Sequence, residues 1–194
     1  MSDPRPQSPP TVRRRSRGVA LIEFAFVLPV LLMIGFATID FGRLIQTRLI
    51  LTNVSREGAS IASRDIVIDP SLAGLLIASS YPLDVAGADG RFYITRIGAG
   101  KSKDDPLPSI STQVVRGTLV AASRYVPDAP YLGLSSTLYD HLVFRTANSS
   151  ADIGEVTMVE IFYKYRPITP IPGFIPGLLK SDGGGMIVSS RAVF

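Results

Sequence analysis

The chain has 194 residues, of which 46% are hydrophobic, and it contains no cysteine. This length accommodates one membrane helix and one modest globular domain, and the absence of thiols excludes disulfide bonds and thiolate metal sites. Residues 1–18 hold five arginines against one acid, which leaves 15 basic and 15 acidic side chains in the rest of the chain. Because that remainder is neutral overall, it lacks the basic surface that phosphate binding requires, and we expect no nucleic-acid partner.

Residues 1–18 form a basic leader in front of a long apolar segment. In residues 19–39 only Glu23 is charged, and as a helix this segment would be about 31 Å long, close to the hydrocarbon thickness of a bilayer. A cluster of basic residues is typical of the cytoplasmic side of a membrane helix. The pattern predicts a single-pass membrane protein with a cytoplasmic N-terminus, oriented by Arg13, Arg14, Arg15 and Arg17.

Beyond the apolar segment, hydrophobic residues recur at helical spacing with polar residues between them. We therefore expect one long helix over residues 19–64, with a transmembrane part (19–39) and an amphipathic part (40–64). Pro29 would bend it slightly. An alternative is a cleaved secretory signal with Gly35, Phe36 and Ala37 as its small-residue site. The acidic residue inside the apolar segment and the continuing helical pattern argue against that alternative.

Glu23 requires a physical explanation, because a carboxylate inside a membrane helix is costly unless it is paired or near the interface. A cut after Gly18 would give Val19 a new α-amine four residues before Glu23. One helical turn separates the two groups, in one subunit or between neighbouring subunits, so that they could neutralise each other in lipid. The alternative is a plain signal anchor in which the acid happens to lie near the interface.

The junction RRRSRG-VALIEF resembles that of type IV prepilins: basic residues, Gly, four apolar residues, Glu and an aromatic residue. The resemblance implies that a membrane-embedded aspartyl prepilin peptidase cuts between Gly18 and Val19. It also implies that Glu23 helps the subunit to dock at the base of a pilus. Phe24 stands where tight-adherence pilins usually have tyrosine.

The wider sequence is similar to TadE-like proteins, minor pseudopilins of the tight-adherence (Flp) pilus. Four blocks carry the resemblance: VLPVLL with IDFGRL, NVSREGAS at residues 53–60, VTMVEIFYKYRPITP at residues 156–170, and the C-terminal VSSRAVF. It implies contacts with other Tad pilins or pseudopilins and with the inner-membrane assembly platform. A TadF-like or TadG-like subtype stays open, although the length excludes the large TadG proteins.

Residues 65–194 are expected to form an exported, extracytoplasmic α+β domain. A short helix is predicted over residues 71–80, and strands over 91–97, part of 112–125, 142–146, 155–165 and 186–193. Residues 87–90, 101–108 and 183–185 read as turns or loops. A helix followed by such strands favours a small antiparallel sheet with the amphipathic part of the long helix packed on it.

Residues 166–180 contain four prolines and two glycines, which predicts a loop with apolar side chains. That loop would either contact another pseudopilin or the membrane surface, or fold back over the core of its own domain.

The sequence offers no active site. His141, beside Asp140 in a predicted loop-to-strand region, is the only histidine. Asp104 and Asp105 are flanked by lysines and fit a solvated loop, and the Gly98-to-Lys101 stretch lacks the spacing of a phosphate loop. We therefore expect no enzyme activity, cofactor or metal. The predicted function is a structural one in pilus assembly, and the alternative is an anchored or secreted periplasmic domain with an unrelated binding or enzymatic role.

Overall fold

The computed structural model describes residues 15–64, 70–145, 154–169 and 185–194. A long helix is followed by a short helix, two strands, a 3-10 turn, a third helix and two further strands. Their bounds are α1 (Arg15–Ala62), α2 (Pro70–Ser79), β1 (Gly90–Gly98), β2 (Ser109–Gly117), the 3-10 turn (Pro130–Gly133), α3 (Ser136–Leu142), β3 (Glu155–Tyr165) and β4 (Met186–Val193). The predicted α+β class, a long N-terminal helix with a small antiparallel sheet, is confirmed.

Helix α1 changes its surroundings along its length. Residues 18–39 are exposed on every side, whereas from Asp40 onwards one stripe of the helix becomes buried. The packed positions recur three or four residues apart, as expected for one helical face against a sheet; they include Leu44, Thr47, Leu51, Val54, Ser55, Ala59 and Ala62. Helix α2 packs beside this second half. The helix contains Pro29 within its apolar half.

The sheet has the strand order β2-β1-β3-β4, and all neighbours are antiparallel. Alternate residues point to opposite faces of a strand. Phe92 and Ile94 of β1 and Val159 and Ile161 of β3 form the main core with α1 and α2. Helix α1 therefore lies over β3 and β4 on this face of the sheet.

The opposite face is covered by residues 118–135, here called the strap, together with α3. Tyr125, Leu134 and Leu142 pack on Met158 from this side. Gly117, the last residue of β2, immediately precedes the strap and has a φ of 91°. A Cβ at this position would lie 2.2 Å from the carbonyl oxygen of Gly90, so glycine is required where the chain turns across the sheet.

Most predicted elements correspond to observed ones. The segments predicted as helix 71–80 and strands 91–97, 155–165 and 186–193 match α2, β1, β3 and β4 within a residue or so at each end. The strand predicted in part of 112–125 corresponds to β2, which covers Ser109–Gly117 and so begins before residue 112; the rest of that stretch belongs to the strap.

The strand predicted over residues 142–146 is wrong for the four residues that the structure describes. Leu142 is the last residue of α3, and its buried side chain belongs to the cluster that packs on Met158 under the strap. The backbone groups that follow bond to a loop instead of a strand: Phe144 N–H donates to the Pro106 carbonyl at 2.9 Å, and Gly100 N–H donates to the Leu142 carbonyl at 2.9 Å.

Candidate functional site: the apolar helix and its junction with the sheet

The predicted processing site lies near the beginning of α1. Gly18 and Val19 are exposed and helical, three and four residues after the helix begins at Arg15. Arg13 and Arg14 lie outside the described residues, while Arg15 and Arg17 belong to the first turn. Glycine weakens a helix by about 1 kcal/mol relative to alanine, so Gly18 is a local weak point in this turn. Cleavage after Gly18 stays a prediction.

The apolar half of α1 has no covering from its own domain. Gly18–Ala62 is the one described helix that is long and apolar enough to cross a membrane, and none of its most hydrophobic window is buried. The exposed side chains surround the helix; they include Val19, Leu21, Ile22, Phe24, Phe26, Val30, Leu31, Ile34, Phe36 and Ile39. A continuous apolar surface of this extent indicates lipid or other apolar helices as its surroundings.

Glu23 interrupts this apolar surface in the second turn after Gly18. It is exposed and lies one helical turn beyond Val19. Every residue from 18 to 39 is exposed within the described part of the chain. The carboxylate is therefore available to a group outside its own domain, and its docking role stays a prediction.

Asp40, the first charged residue after the apolar segment, joins the helix to the end of β3. Tyr165 donates its hydroxyl to the Asp40 carbonyl at 2.9 Å, and Ile168 donates its backbone N–H to Oδ1 of Asp40 at 3.0 Å. Thr169 donates its hydroxyl to the other carboxylate oxygen. We call this group the Asp40 clamp. Burial, with a smaller contribution from the negative charge of Asp40, raises the pKa of the Tyr165 phenol.

Two further contacts join α1 to the sheet at greater distances from the apolar half. The hydroxyls of Ser55 and Ser190 are 2.8 Å apart, and Arg96 donates from Nη2 to the Ala62 carbonyl at 2.6 Å. Ser190 pairs with Ile161 of β3, and Arg96 pairs with Thr157. From Asp40 towards Ala62 along α1, the matching positions on β3 therefore run from its last residue towards its first. Strand β3 is antiparallel to α1 and ends at the Asp40 clamp.

A second polar group lies under the strap. Glu160 is completely buried, and its carboxylate accepts hydrogen bonds from the Ser123 hydroxyl, from Arg124 N–H at 3.2 Å and from Nε of Arg191 at 2.8 Å. Burial, and then the charge of Glu160, raise the pKa of the neighbouring Tyr125 phenol. These contacts hold the strap against the sheet, because a buried carboxylate must retain its donors.

Sequence reasoning missed the roles of both Asp40 and Glu160. In the sequence, Asp40 is one residue of the block IDFGRL, and Glu160 is one residue of the strand predicted over 155–165. A usable signal was present for each: Asp40 is the first charge after the apolar segment, and Glu160 is an acid amid apolar strand residues.

The residues that the sequence assigned to no site remain dispersed. His141 lies in the last turn of α3 and not in a loop-to-strand region, because Ser135 caps this helix by accepting from Leu138 N–H at 3.3 Å. Asp104 and Asp105 are exposed, as expected for a solvated loop. Within the described ranges, no group of three or more His, Asp or Glu side chains is placed to hold a metal ion.

Comparison with known proteins gives one match. Residues 18–60 match the family model described as TadE-like protein, which confirms the predicted resemblance for the apolar block and for NVSREGAS. The match covers less than half of the chain, and the proposed similarities at residues 156–170 and at the C-terminus lie beyond it. No curated protein and no solved structure matched the chain. Residues 18–60, which contain the bare apolar helix, Glu23 and the Asp40 clamp position, thus carry a TadE-like domain, and this supports a protein related to the Tad pilus.

Proposed function

We propose that the chain is a minor pseudopilin that acts in the assembly of a Tad-type pilus and has no enzymatic activity. Residues 19–39 anchor it in the bacterial inner membrane, the leader is cytoplasmic, and residues 65–194 form the exported domain. The observation that carries the proposal is the uncovered apolar half of α1, which lies inside the TadE-like match. Such a helix can pack on lipid in one state and on neighbouring helices in another.

Two charged groups at the junction determine which neighbouring subunits the helix favours. Cleavage after Gly18 by a prepilin peptidase removes the arginines and creates an α-amine on Val19. This amine and the Glu23 carboxylate carry opposite charges one turn apart. In a low-dielectric surrounding, pairing removes the cost of an isolated charge, so a neighbour that offers an amine to Glu23 is favoured. Other Tad pilins or pseudopilins and the assembly platform are the proposed partners.

The mature N-terminus provides the first test. Intact-mass analysis of the chain, expressed with and without a prepilin peptidase, should show a peptidase-dependent product that begins at Val19. Gly18→Val should abolish this product because the larger side chain blocks a narrow protease subsite, while the matched variant Gly35→Val should leave it unchanged. A product that begins at Thr38 would support a secreted protein and contradict the proposal. A chain that the peptidase does not cut would indicate a plain signal anchor and would contradict the proposed processing.

The second test addresses Glu23. Glu23→Ala should be processed normally but should fail to support pilus formation, because the neighbour's amine loses its partner. Glu57→Ala removes an exposed acid from the same helix outside the apolar half and should assemble like the unchanged chain. Normal piliation by the Glu23→Ala variant would rule out the docking role.

A further inference from the structure

We propose that the membrane-proximal rim of the exported domain rests on the phospholipid surface around α1. We define this rim by the loop that contains Arg166 and Ile168, together with Val120, Lys164 and Ile187. The inference rests on the membrane anchoring proposed above, and it adds a lipid-contact surface outside the helix itself. Its partner is the headgroup layer of an anionic bilayer.

The height of the rim follows from the Asp40 clamp. A 21-residue helical span is about 31 Å long, which matches a hydrocarbon core of about 30 Å. Asp40, the next residue, then lies at the level of the lipid headgroups. Because Ile168 N–H bonds to the Asp40 carboxylate at 3.0 Å, the backbone of this loop lies at the same level.

The direction of β3 places the neighbouring chain segments on the same side. Since β3 descends towards Asp40, its Tyr165 end faces the bilayer, together with Met186 of β4, which pairs with Tyr165. The same end of the sheet carries Gly90 and Gly117, where Leu119 N–H bonds to the Gly90 carbonyl at 3.2 Å. The opposite end, with Gly98, Ser109 and Glu155, points away from the bilayer.

The rim combines exposed apolar side chains with basic ones. Ile168 is 62% exposed, Val120 is 89% exposed and Ile187 is about half exposed. Val120, Ile187, Lys164 and Arg166 line one open cavity of about 620 Å³ at this end of the sheet. Arg166 pairs with Asp89 at 2.6 Å while remaining largely accessible. Apolar side chains at headgroup depth beside basic ones are the combination that an anionic lipid surface binds.

The composition of the chain permits a clean test. It has no cysteine, so a single introduced cysteine can carry a nitroxide label at one known site. Ile168→Cys reports on the rim, and Leu107→Cys is the matched control, because Leu107 is 57% exposed and precedes β2 at the opposite end of the sheet. Both full-length variants are reconstituted in vesicles of phosphatidylethanolamine and phosphatidylglycerol. The collision rate of each label is measured with oxygen, which concentrates in the bilayer, and with a water-soluble nickel chelate.

We expect the ratio of oxygen to nickel collisions to be several-fold higher for the label at position 168 than for that at position 107. Adding Asp40→Ala to the Ile168→Cys chain should lower the ratio towards the control value, because the clamp that holds the loop at this level is removed. Equal ratios at positions 168 and 107 in vesicle-bound protein would overturn the lipid contact and leave the anchoring intact.

Two other outcomes would also contradict the inference, and different measurements distinguish them. Low collision rates with both reagents, together with spin–spin broadening that disappears on dilution with unlabelled chain, would show that a second copy of the chain covers the rim. Failure of the protein to float with the vesicles would remove the anchoring itself, and the proposed function would fall with it.

Discussion

Nε of Arg191 lies 2.8 Å from Oε1 of Glu160, so strands β3 and β4 share an ion pair whose carboxylate is fully buried and whose cation is partly exposed. The same carboxylate binds Ser123 and the backbone N–H of Arg124 in the strap. One acid therefore connects the sheet edge to the segment that covers its outer face. Hydrogen bonds to a charged group are worth more than neutral ones, which makes Glu160 the most informative polar residue to change.

Glu160→Ala should lower the free energy of unfolding by about 1.5–3 kcal/mol, the range for losing a hydrogen bond to a charged group. Urea unfolding of the full chain in detergent, followed by near-ultraviolet circular dichroism of the tyrosines, would measure this loss. Glu57→Ala, an exposed acid on α1, should change stability by less than about 0.5 kcal/mol. Equal effects of the two substitutions would show that the buried contacts do not hold the strap.

Alkaline conditions should destabilise the fold through its partly buried tyrosines. The pKa values of Tyr125 and Tyr165 are raised above 10.0, first by burial and then by the nearby acids Glu160 and Asp40. The folded state therefore retains phenol protons that the unfolded chain releases near pH 10, so stability is complete below pH 10 and falls as the pH rises through the folded-state values.

This loss can be followed by urea unfolding at a series of pH values across 10. Tyr125→Phe should make the decline shallower, because the ring remains but the ionisable hydroxyl is gone. A stability that rises with pH in this range would contradict the direction of both shifts.

Arg96→Leu should fray the C-terminal end of α1. Arg96 is almost fully buried, and its guanidinium donates to the carbonyl of Ala62, the last residue of the helix. Losing this charged donor should cost about 1.5–3 kcal/mol and should speed amide hydrogen exchange in the final helical turn. Arg116→Leu is the control, because Arg116 is exposed and donates to the carbonyl of its own neighbour, Val115, at 2.9 Å. Unchanged exchange in the Arg96 variant would exclude this capping role.

Gly58→Leu should push α2 away from α1. A Cβ at residue 58 would lie 2.2 Å from Cδ2 of Leu76, and overpacking of this kind typically costs about 1–3 kcal/mol. In a Leu76→Ala background, Gly58→Leu should lower the free energy of unfolding by less, because removing the Leu76 side chain leaves room for the new leucine. A double-mutant cycle measures this coupling. Gly42→Leu, on a helix position with nothing within 4 Å, should not destabilise. Additive effects of the Gly58 and Leu76 substitutions would contradict the proposed contact.

The elements that the sequence predicted well are those with strong local patterns. Helical spacing after residue 39 indicated α1, and residues rich in β-branched and aromatic side chains indicated β3. The strap could not be predicted in this way, because its position depends on Glu160, some 36 residues further along the chain. Helix α3 was not predicted because its last residue, Leu142, begins the apolar run LVF, which resembles a strand. Its cap at Ser135 is a local signal that was available.

The three contacts between α1 and the sheet also determine how the domain bears force. The Asp40 clamp, the Ser55–Ser190 pair and the Arg96–Ala62 bond are distributed along the helix axis, beside a strand that runs in the opposite direction. A pull along α1 therefore stretches all three attachments at once, in shear, whereas a sideways pull would break them one at a time. The sheet domain is therefore joined to its helix in a geometry that resists detachment when the helix is pulled along its axis.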